Sequence, residues 1–572
     1  MNARQVTNAK KSVCKVMGVH RGMNRREPYV VQEDVTFGGT AFFVNAMSLF
    51  GWDQVVKPGA VIPRDHRFHG VHVLLRERAR GRNAQKNLRF ALTNFHVVDE
   101  LADKTCLLRY PAQGNSAITA EVIYACPSLD VAVLLVDPYG EHPMWFDSGN
   151  VREFIESIPN LSLETDKTIK GSSQKVVAIG FPNLSNDYQL CEGCVSGREM
   201  GMIQCSLSLN GGNSGGPLMM CGKVIGICTA SVTESEALAL AGPIYQIVRF
   251  FRYWATYTEK VILWTPSWGI STATTTPDYL SYHGIDSSVQ GASLKQVLDV
   301  GAVGMAGMKE KDIILGISSG GKRYNVDNYG LVKCDWTDKR VPLEDQEFIL
   351  SLSPDDITFD VFAWSTRKPG KTVRLDVRPI PIEFKVRDAY HAWEEVPYAL
   401  LGGMVFMNLS MQHLEPEDDE DEEAICPPIQ AITLTNFLVE TLHMDTAVVV
   451  TYIPPHSHVS SQKVLKPFSR VTKLNGKSVK DVTHLESLIN DAVSKYNAST
   501  GVKQSKHEFI VLEMDGKDKV YMSMKSLLVR ELADSMRQYY PCEKCQLMNM
   551  STTSTTSVAR GGRKRRRTNV SV

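Results

Sequence analysis

The sequence predicts a mainly β protein built from several domains. From about residue 12 to residue 255, short alternating apolar stretches are separated by Gly, Pro and Asn, a pattern typical of β-barrels and β-sandwiches. The chain has 572 residues, too many for one hydrophobic core, and its length alone indicates three or four domains. Its 43% hydrophobic and 22% charged residues are ordinary for a globular protein.

The elements follow in order. Residues 12 to 19 alternate as the first strand of a barrel, and residues 61 to 87, rich in Arg and His, form an inserted loop. A second and longer insertion covers residues 138 to 171, before a strand that begins near Val176. Residues 244 to 257 carry apolar and aromatic side chains at helical spacing, which predicts a helix that closes this first region.

A serine lies within a glycine-rich turn, Gly211-Gly212-Asn213-Ser214-Gly215-Gly216-Pro217. Glycines let the chain bend sharply and bring backbone N–H groups close to a reacting carbonyl. The turn therefore offers Ser214 as a nucleophile, with the N–H groups of Gly212 and Ser214 as an oxyanion hole. By itself such a cluster is equally consistent with a structural turn.

Two further residues complete a possible catalytic set. His96 ends a strand-like apolar run, and Asp130 opens the buried strand that continues to Val136. Alone, the histidine would be packed or solvated and the aspartate would cap a turn. Together the order His96, Asp130, Ser214 supplies a base, an orienting acid and a nucleophile in the chain order of chymotrypsin-like enzymes.

These segments resemble the three signatures of the Deg/HtrA serine proteases: Thr93-Asn94-Phe95-His96-Val97-Val98, Asp130-Val131-Ala132-Val133-Leu134 and Gly212-Asn213-Ser214-Gly215-Gly216-Pro217-Leu218. Further stretches agree in order: 38 to 44, 176 to 182 and 224 to 230. Cys228 departs from the family pattern, in which asparagine is common. This departure weakens the inference of substrate specificity from the family, but not the inference of catalysis.

The resemblance implies a chymotrypsin-like double β-barrel followed by two PDZ-like α+β domains. In that fold His96 and Asp130 come from the first six-stranded barrel and Ser214 from the second, so the site lies in the cleft between them. Leu209 and Ile227 would line the pocket for the side chain preceding the cut, which predicts small to medium apolar residues there. Peptide bonds would be cleaved through an acyl-enzyme, with no metal or organic cofactor.

Two regions after the barrels resemble PDZ domains. In the first, Trp268-Gly269-Ile270 would be the loop that binds a chain terminus while the peptide adds as a β-strand. The second is more divergent and is interrupted by the acidic run 415 to 423. Two such units suggest the plant-type Deg branch. The expected divisions are an extension (1–11), a trypsin-like protease domain (12–257), a first PDZ domain (258–385), a divergent PDZ-like domain (386–535) and a flexible tail (536–572).

Cysteines and histidines give weak metal signals. The twelve cysteines do not form a regular disulfide framework, so reduced thiols are expected. The pairs Cys191/Cys194 and Cys542/Cys545 have the spacing of zinc or redox motifs, but they fall in different predicted domains. His66, His69 and His72 lie in the basic inserted loop without an evident acidic or thiol ligand. We therefore predict solvated histidines and no metal site.

Charge and hydropathy bear on location and partners. Lys plus Arg and Asp plus Glu both number 63, so no global field favours nucleic acid or membranes. No apolar run reaches the roughly 18 residues needed to span a bilayer. Residues 1 to 26 hold seven basic and no acidic side chains, as in a transit peptide, but the first strand begins too early for a cleaved presequence. We predict a nuclear or cytoplasmic protein that is not secreted.

The run Arg563 to Arg567 in the Ser/Thr-rich tail is a candidate nuclear-localisation or nucleic-acid segment, and a solvated tail is the alternative. The expected function is ATP-independent proteolysis of unfolded or tagged proteins in protein quality control. By family resemblance the chain would assemble as trimers or multiples of trimers. The alternative is a latent PDZ scaffold or chaperone-like protein whose protease domain is residual.

Overall fold

The structure is a computed structural model. It describes residues 3–20, 24, 26–30, 35–51, 64, 68–78, 87–146, 149–165, 174–199, 201–231, 238–257, 260–364, 370–391, 393–414, 434, 445–498, 506–515, 518–534 and 541. Contacts between Cα atoms divide the chain into two compact units. Unit 1 comprises residues 1–21 and 34–383, and unit 2 comprises residues 22–33 and 384–572.

Unit 1 begins with a closed six-stranded barrel whose strand order is β1-β2-β3-β6-β5-β4. Antiparallel pairing of β1 with β4, in which Val16 lies opposite Leu108, closes the barrel. Its interior is filled by Val, Leu and Phe side chains because these residues suit a pleated, buried surface. The strands are β1 (Val13–His20), β2 (Val35–Val44), β3 (Arg89–Thr93), β4 (Thr105–Arg109), β5 (Ala117–Cys126) and β6 (Val131–Val136).

A second closed barrel follows, with the order β10-β11-β12-β9-β8-β7. It closes where β10 pairs with β7, at Leu218 opposite Ala178. Its core is a separate apolar cluster that includes Leu209, Cys205 and Cys228. The strands are β7 (Lys175–Gly180), β8 (Gln189–Glu199), β9 (Met202–Cys205), β10 (Pro217–Met220), β11 (Lys223–Ser231) and β12 (Ala239–Pro243).

Helices pack around and after the two barrels. They are α1 (Ala3–Lys10), α2 (Ala46–Phe50), α3 (His69–Arg78), α4 (Val151–Ser157) and α5 (Ile244–Arg249), and a π-helical turn (Phe250–Trp254) continues α5. The helix predicted over 244 to 257 is thus present. The prediction of solvated histidines in the inserted loop is wrong for His72, because this residue lies on α3 and is buried. His69 lies on the same helix, whereas His66 lies outside the described residues.

A third sheet completes unit 1, with the order β14-β15-β16-β20-β21 and β17 paired to β16. The strands are β13 (Pro266–Ser267), β14 (Ile270–Ala273), β15 (Ala292–Val297), β16 (Ile313–Ser319), β17 (Lys322–Asn325), β18 (Leu331–Lys333), β19 (Arg340–Pro342), β20 (Ile357–Ala363), β21 (Lys371–Asp376) and β22 (Ile380–Pro381). The helices are α6 (Pro277–Tyr282), α7 (Ala302–Met305) and α8 (Gln346–Ser351).

Buried polar contacts join the third sheet to the barrels within unit 1. The guanidinium of Arg249 donates to three carbonyl oxygens at the end of α8, those of Leu350 (2.6 Å), Ser351 (3.2 Å) and Leu352 (2.9 Å). Nearby, the Tyr245 hydroxyl donates to the buried Glu347 carboxylate. These bonds satisfy carbonyl groups that a helix end leaves without partners.

Unit 2 contains a sheet of the order β23-β24-β25-β26-β28-β29, with β27 paired to β26. Its helix α10 packs against β23, β24 and β26. The strands are β23 (Tyr398–Leu401), β24 (Met404–Asn408), β25 (Val448–Tyr452), β26 (Arg470–Leu474), β27 (Lys477–Ser478), β28 (Phe509–Met514) and β29 (Lys519–Ser523). The helices are α9 (His458–Gln462), α10 (Val482–Ala498) and α11 (Met524–Asp534).

The predicted fold class is confirmed: the protein is mainly β, with two closed six-stranded barrels followed by β-rich α+β regions. The five predicted domain boundaries stay predictions. The acidic run 415 to 423 and the basic run 563 to 567 lie outside the described residues. Among the residues that the structure does describe, no helix has the length and apolar character required to cross a bilayer.

Candidate active site

His96 lies in a turn directly after β3, at the mouth of the first barrel. Its side chain is 44% exposed, so one edge of the ring faces solvent. Ring atom Nδ1 lies 2.8 Å and 3.0 Å from the two carboxylate oxygens of Asp130, and the His96 backbone N–H donates to Oδ1 at 3.1 Å. Nδ1 is thereby committed to the acid, which leaves Nε2 as the nitrogen able to take up a proton.

Asp130 follows a 3₁₀ turn (Pro127–Leu129) and has a left-handed backbone, with φ 45° and ψ 52°. Aspartate tolerates this conformation better than most residues with a side chain. The turn places the carboxylate at the beginning of β6, next to His96. A third donor, the Thr229 hydroxyl, also reaches the carboxylate from β11 in the second barrel.

Two opposing effects act on the pKa of His96, and the net result is a raised pKa. Burial lowers it, whereas the hydrogen bond and charge of Asp130, together with the charge of Asp99, raise it. Burial and the neighbouring Glu100 in turn raise the pKa of Asp99 to about 6. The imidazolium form of His96 is therefore stabilised beside two acids, as expected for a base that must hold a proton during a reaction.

Ser214 lies at the apex of the glycine-rich turn, flanked by Gly212 (φ 93°) and Gly215 (φ 85°). A Cβ atom at Gly215 would lie 2.0 Å from the carbonyl oxygen of Thr40, so only glycine fits there. The Ser214 hydroxyl donates to the carbonyl of Thr229 at 3.2 Å. Within the described residues no hydrogen bond joins it to His96, so the serine is turned toward β11.

Three carbonyl groups of the turn accept hydrogen bonds from neighbouring segments of the barrels. Those of Gly211, Gly212 and Ser214 accept from the Asn183 N–H (2.6 Å), the Thr40 hydroxyl (2.7 Å) and the Thr40 N–H (2.9 Å). In contrast, the N–H groups of Gly212 and Ser214 donate to no other group in the part of the chain that the structure describes. This leaves two donors beside the serine hydroxyl, as an oxyanion hole requires.

Sequence reasoning missed three residues that assemble the site. Thr229 bonds Asp130, as noted above. The Asn94 side chain donates to the Asp130 carbonyl at 2.7 Å and accepts the Gly215 N–H at 2.5 Å, so it ties the acid to the serine turn. Thr40 bridges the turn to Phe181 and Thr93. All three occur within motif segments, but only the strand geometry shows which way their side chains point.

A pocket of about 200 Å³ opens beside the serine. Leu209 lines it, as predicted from resemblance, but Ile227 does not, since its side chain is fully buried in the core that includes the first barrel. Cys228, the next residue along β11, lines the pocket instead, and burial raises the pKa of its thiol. The remaining lining residues are Asn210, Gly211, Asn213, Ser214 and Thr229.

The segment predicted to bind a chain terminus lies just before β14. Trp268 is buried, and its indole N–H donates to the Leu343 carbonyl at 2.8 Å. Gly269 has φ 72° and donates its N–H to the Ser267 hydroxyl at 3.1 Å. Ile270 begins β14, an outer strand of the third sheet.

Metal ligands are sparse. In the described ranges, no group of three or more His, Cys, Asp or Glu side chains could hold a metal ion. Cys191 and Cys194 lie on β8, whereas Cys542 and Cys545 are outside those ranges. The groups present at the site are an acid-oriented imidazole, a hydroxyl and two backbone donors.

Parts of this chain are similar to known protein families. A trypsin-like peptidase domain model matches residues 81–227, and a PDZ domain model matches residues 389–539. A probable periplasmic serine endoprotease DegP-like from Pseudomonas savastanoi pv. phaseolicola is 29% identical over 239 residues, covering 40% of this chain and 44% of that protein. Protease Do-like 1, chloroplastic, from Arabidopsis thaliana is 30% identical over 182 residues, covering 28% and 37%.

Among solved structures, an HtrA-type protease AlgW with decapeptide aligns with a TM-score of 0.41 and 16% identity, covering 67% of this chain and 98% of that chain. This chain spans less than half the length of the two curated relatives. The plant-type branch has only weak support, because the Arabidopsis match covers 28% of the chain and the bacterial matches are at least as extensive.

The similar proteins correct the predicted location. The relatives are described as periplasmic or chloroplastic, which points to secreted or organellar compartments. The prediction of a nuclear or cytoplasmic protein, drawn from Arg563 to Arg567 and the lack of an apolar leader, is therefore wrong. A short basic run is common in solvated tails and is a poor guide to compartment.

Proposed function

This chain belongs to the Deg/HtrA family of serine proteases, and from that premise we propose that it is an ATP-independent serine endopeptidase with His96, Asp130 and Ser214 as its catalytic triad. The observation that carries the proposal is the bonded pair of His96 Nδ1 and Asp130 beside the serine turn. Side chains and water suffice for the reaction, so neither a nucleotide nor a metal takes part.

The proposed reaction begins when the Ser214 hydroxyl rotates about its Cα–Cβ bond from the Thr229 carbonyl to His96 Nε2. Its oxygen then attacks the scissile carbonyl while His96 takes the proton. The N–H groups of Gly212 and Ser214 hold the resulting oxyanion. His96 next protonates the leaving amine. In the second half of the reaction, His96 takes a proton from the water that attacks the acyl-enzyme and then returns a proton to the Ser214 oxygen.

Substrate choice follows from the pocket beside Ser214. A volume of about 200 Å³ with Leu209 and Cys228 in its wall suits a side chain the size of Ala, Val or Ile. None of the lining residues is charged, so an Arg or Lys side chain would lose hydration without gaining a partner. A peptide-library screen in which cleavage after Lys or Arg dominates would overturn this preference.

We extend the proposal to whole proteins. Unfolded or terminally tagged chains would be the substrates, and Trp268, Gly269 and Ile270 would bind a chain terminus. The active form would be a homo-oligomer, either a trimer or a multiple of trimers. Nucleic-acid contact through Arg563 to Arg567 stays a proposal, tested by deleting those residues and measuring affinity for duplex DNA.

Cleavage of an unfolded protein tests the activity. The intact chain should degrade reduced, carboxymethylated casein without ATP, whereas the Ser214→Ala chain should leave it intact. A chelator should not change the rate. Equal degradation by the two proteins, or degradation only when ATP is added, would contradict the proposed activity.

A further inference from the structure

Unit 2 differs from the third sheet of unit 1 at the strand edge where a PDZ-type domain would add a peptide. In unit 1, β14 is the outer strand, and no described strand pairs with its free edge. In unit 2 the corresponding strand, β24, follows a glycine pair and is already paired on both sides. Its outer neighbour is β23, with Leu400 opposite Val405 and Leu401 opposite Met404.

The hairpin between β23 and β24 is also held by acids of α11. Gly402 (φ 59°) and Gly403 (φ 79°) form its two-residue turn, as a type I′ hairpin requires. The Gly402 N–H donates to the buried Glu531 carboxylate at 2.9 Å. Gly403 lies against the carboxylate of Asp534, which would collide with any Cβ there. The turn that could receive a peptide carboxylate is therefore occupied by the chain's own carboxylates.

An open cleft exists elsewhere in unit 2, between α10 and the hairpin of β28 and β29. Its volume is about 500 Å³. Leu474, Leu488 and Val511 contribute apolar surface. At its edge lie two aromatic side chains that are unusually accessible, Phe509 (53% exposed) and Tyr521 (61% exposed). Exposed aromatic rings beside a concave surface are common features of binding sites.

Among the residues that line this cleft, lysines outnumber carboxylates by three to two. Lys477 and Lys495 share one carboxylate, that of Asp491, at 3.2 Å and 2.6 Å. Lys519 shares the Glu513 carboxylate with a further lysine, Lys473. Each carboxylate is thus divided between two ammonium groups, and all four lysines are at least 43% exposed. Such a surface attracts an anionic partner.

We propose that this cleft, lined by Lys477, Lys495, Lys519, Phe509 and Tyr521, binds peptide segments in which acidic residues alternate with apolar ones. The acidic groups would pair with the lysines, and the apolar side chains would cover the two aromatic rings and Val511. Recognition would be internal to the bound segment and would need no free chain terminus, because the β24 edge is filled by β23. This site goes beyond the proposed proteolysis and does not depend on Ser214.

Fluorescence anisotropy tests the proposal with the full chain carrying Ser214→Ala, which prevents cleavage of the probe. The probe is a fluorescein-labelled peptide amide of about twelve residues that alternates pairs of Asp or Glu with Leu or Phe, long enough to cover such a cleft. Its amide end excludes recognition of a carboxylate. A matched probe has Lys in place of every acid.

The acidic probe should bind, and added salt should weaken it because the contacts are between exposed charges. Lys477→Gln with Lys495→Gln should reduce affinity about tenfold or more, and Tyr521→Ser should do the same by removing an aromatic anchor. The matched control, Lys260→Gln with Lys309→Gln, changes two exposed and carboxylate-paired lysines of unit 1 and should have no effect.

Three results would overturn the proposal: no binding of the acidic probe, equal binding of the lysine probe, or an equal loss of affinity in the unit 1 control. The occupied edge of β24 is tested by a separate measurement. Calorimetry with a peptide that ends in an apolar residue and a free carboxylate should give at most one site per chain, unchanged by the unit 2 lysine variants. Two such sites would contradict the occupied hairpin.

Discussion

At the scale of single residues, the proposed activity depends on the protonation state of His96. Its pKa is raised by Asp130 and Asp99 against the effect of burial, and only the neutral ring can accept the serine proton. Activity should therefore fall as the pH drops through this raised pKa. The folded protein also gains stability from protonating His96, and that contribution is lost as the pH rises through the same value.

Asp99→Asn tests the electrostatic part of this account. Removing a negative charge near His96 should lower its pKa, so the acid limb of the kcat/KM profile should move to lower pH. Glu141→Gln changes an exposed carboxylate outside the site; it is the control and should leave the profile in place. A shift to higher pH in Asp99→Asn would contradict the assigned sign.

Thr229 provides a second prediction at this scale. Its hydroxyl donates to the Asp130 carboxylate, a charge-assisted bond from the other barrel. Thr229→Val should reduce kcat by about ten- to a hundredfold, because hydrogen bonds to charged groups contribute roughly 1.5–3 kcal/mol. Thr229→Ser keeps the hydroxyl and should retain most activity. If both variants were equally impaired, packing rather than the hydrogen bond would explain the loss.

Among structural elements, the serine turn depends most on glycine. Gly215→Ala would place a methyl group 2.0 Å from the Thr40 carbonyl at a left-handed backbone position. We expect a loss of roughly 3 kcal/mol or more in the free energy of unfolding, measured by urea denaturation. Gly211→Ala is the control: nothing lies within 4 Å of its added Cβ, and stability should change by about 0.5 kcal/mol or less. Comparable losses in both variants would refute the steric argument.

The geometry of the strands also explains which residues of the site could be predicted from the sequence and which could not. His96, Asp130 and Ser214 could be proposed as catalytic residues from the sequence because each lies in a short motif whose chemistry is local. Ile227 was misplaced by one residue: neighbouring side chains on a strand point to opposite faces, so Cys228 lines the pocket while Ile227 enters the core. A register shift in β11 after Cys228 is invisible in the sequence.

Asn94 and Thr40 illustrate a second limit. Both occur in quoted motif segments, yet their role is to bond residues more than a hundred positions away, Gly215 and Gly212 respectively. Only the closure of the two barrels brings these groups together. The occupied edge of β24 could not be predicted from the sequence either. The pairing of β23 with β24 and the contact of Glu531 with Gly402 form only when unit 2 folds.

At the scale of the whole molecule, Arg249 fastens the third sheet of unit 1 to the barrels. Arg249→Ala would leave the carbonyls of Ser351 and Leu352 without their donor in a partly buried site, whereas the Leu350 carbonyl would keep the indole N–H of Trp254. Unsatisfied groups of this kind cost about 1–3 kcal/mol each where water cannot reach them. The midpoint of thermal unfolding should fall by several degrees, and trypsin should cut between the barrels and the sheet more readily.

Arg378→Ala is the matched control, because the Arg378 side chain is 63% exposed and its guanidinium lies 4.0 Å from the exposed carboxylate of Asp355. Its loss should change stability by about 0.5 kcal/mol or less, as usual for surface ion pairs. An equal fall in the two variants would show that Arg249 does not join the two parts of unit 1.

The central claim is that His96 activates Ser214, and covalent labelling with a fluorophosphonate measures this most directly. The intact chain should form one adduct, located on Ser214 by mass spectrometry. Ser214→Ala should form none, and His96→Ala should label at least about a thousandfold more slowly. An intact chain that stays unlabelled from pH 6 to pH 9, or a His96→Ala chain that labels as fast as the wild type, would contradict the account.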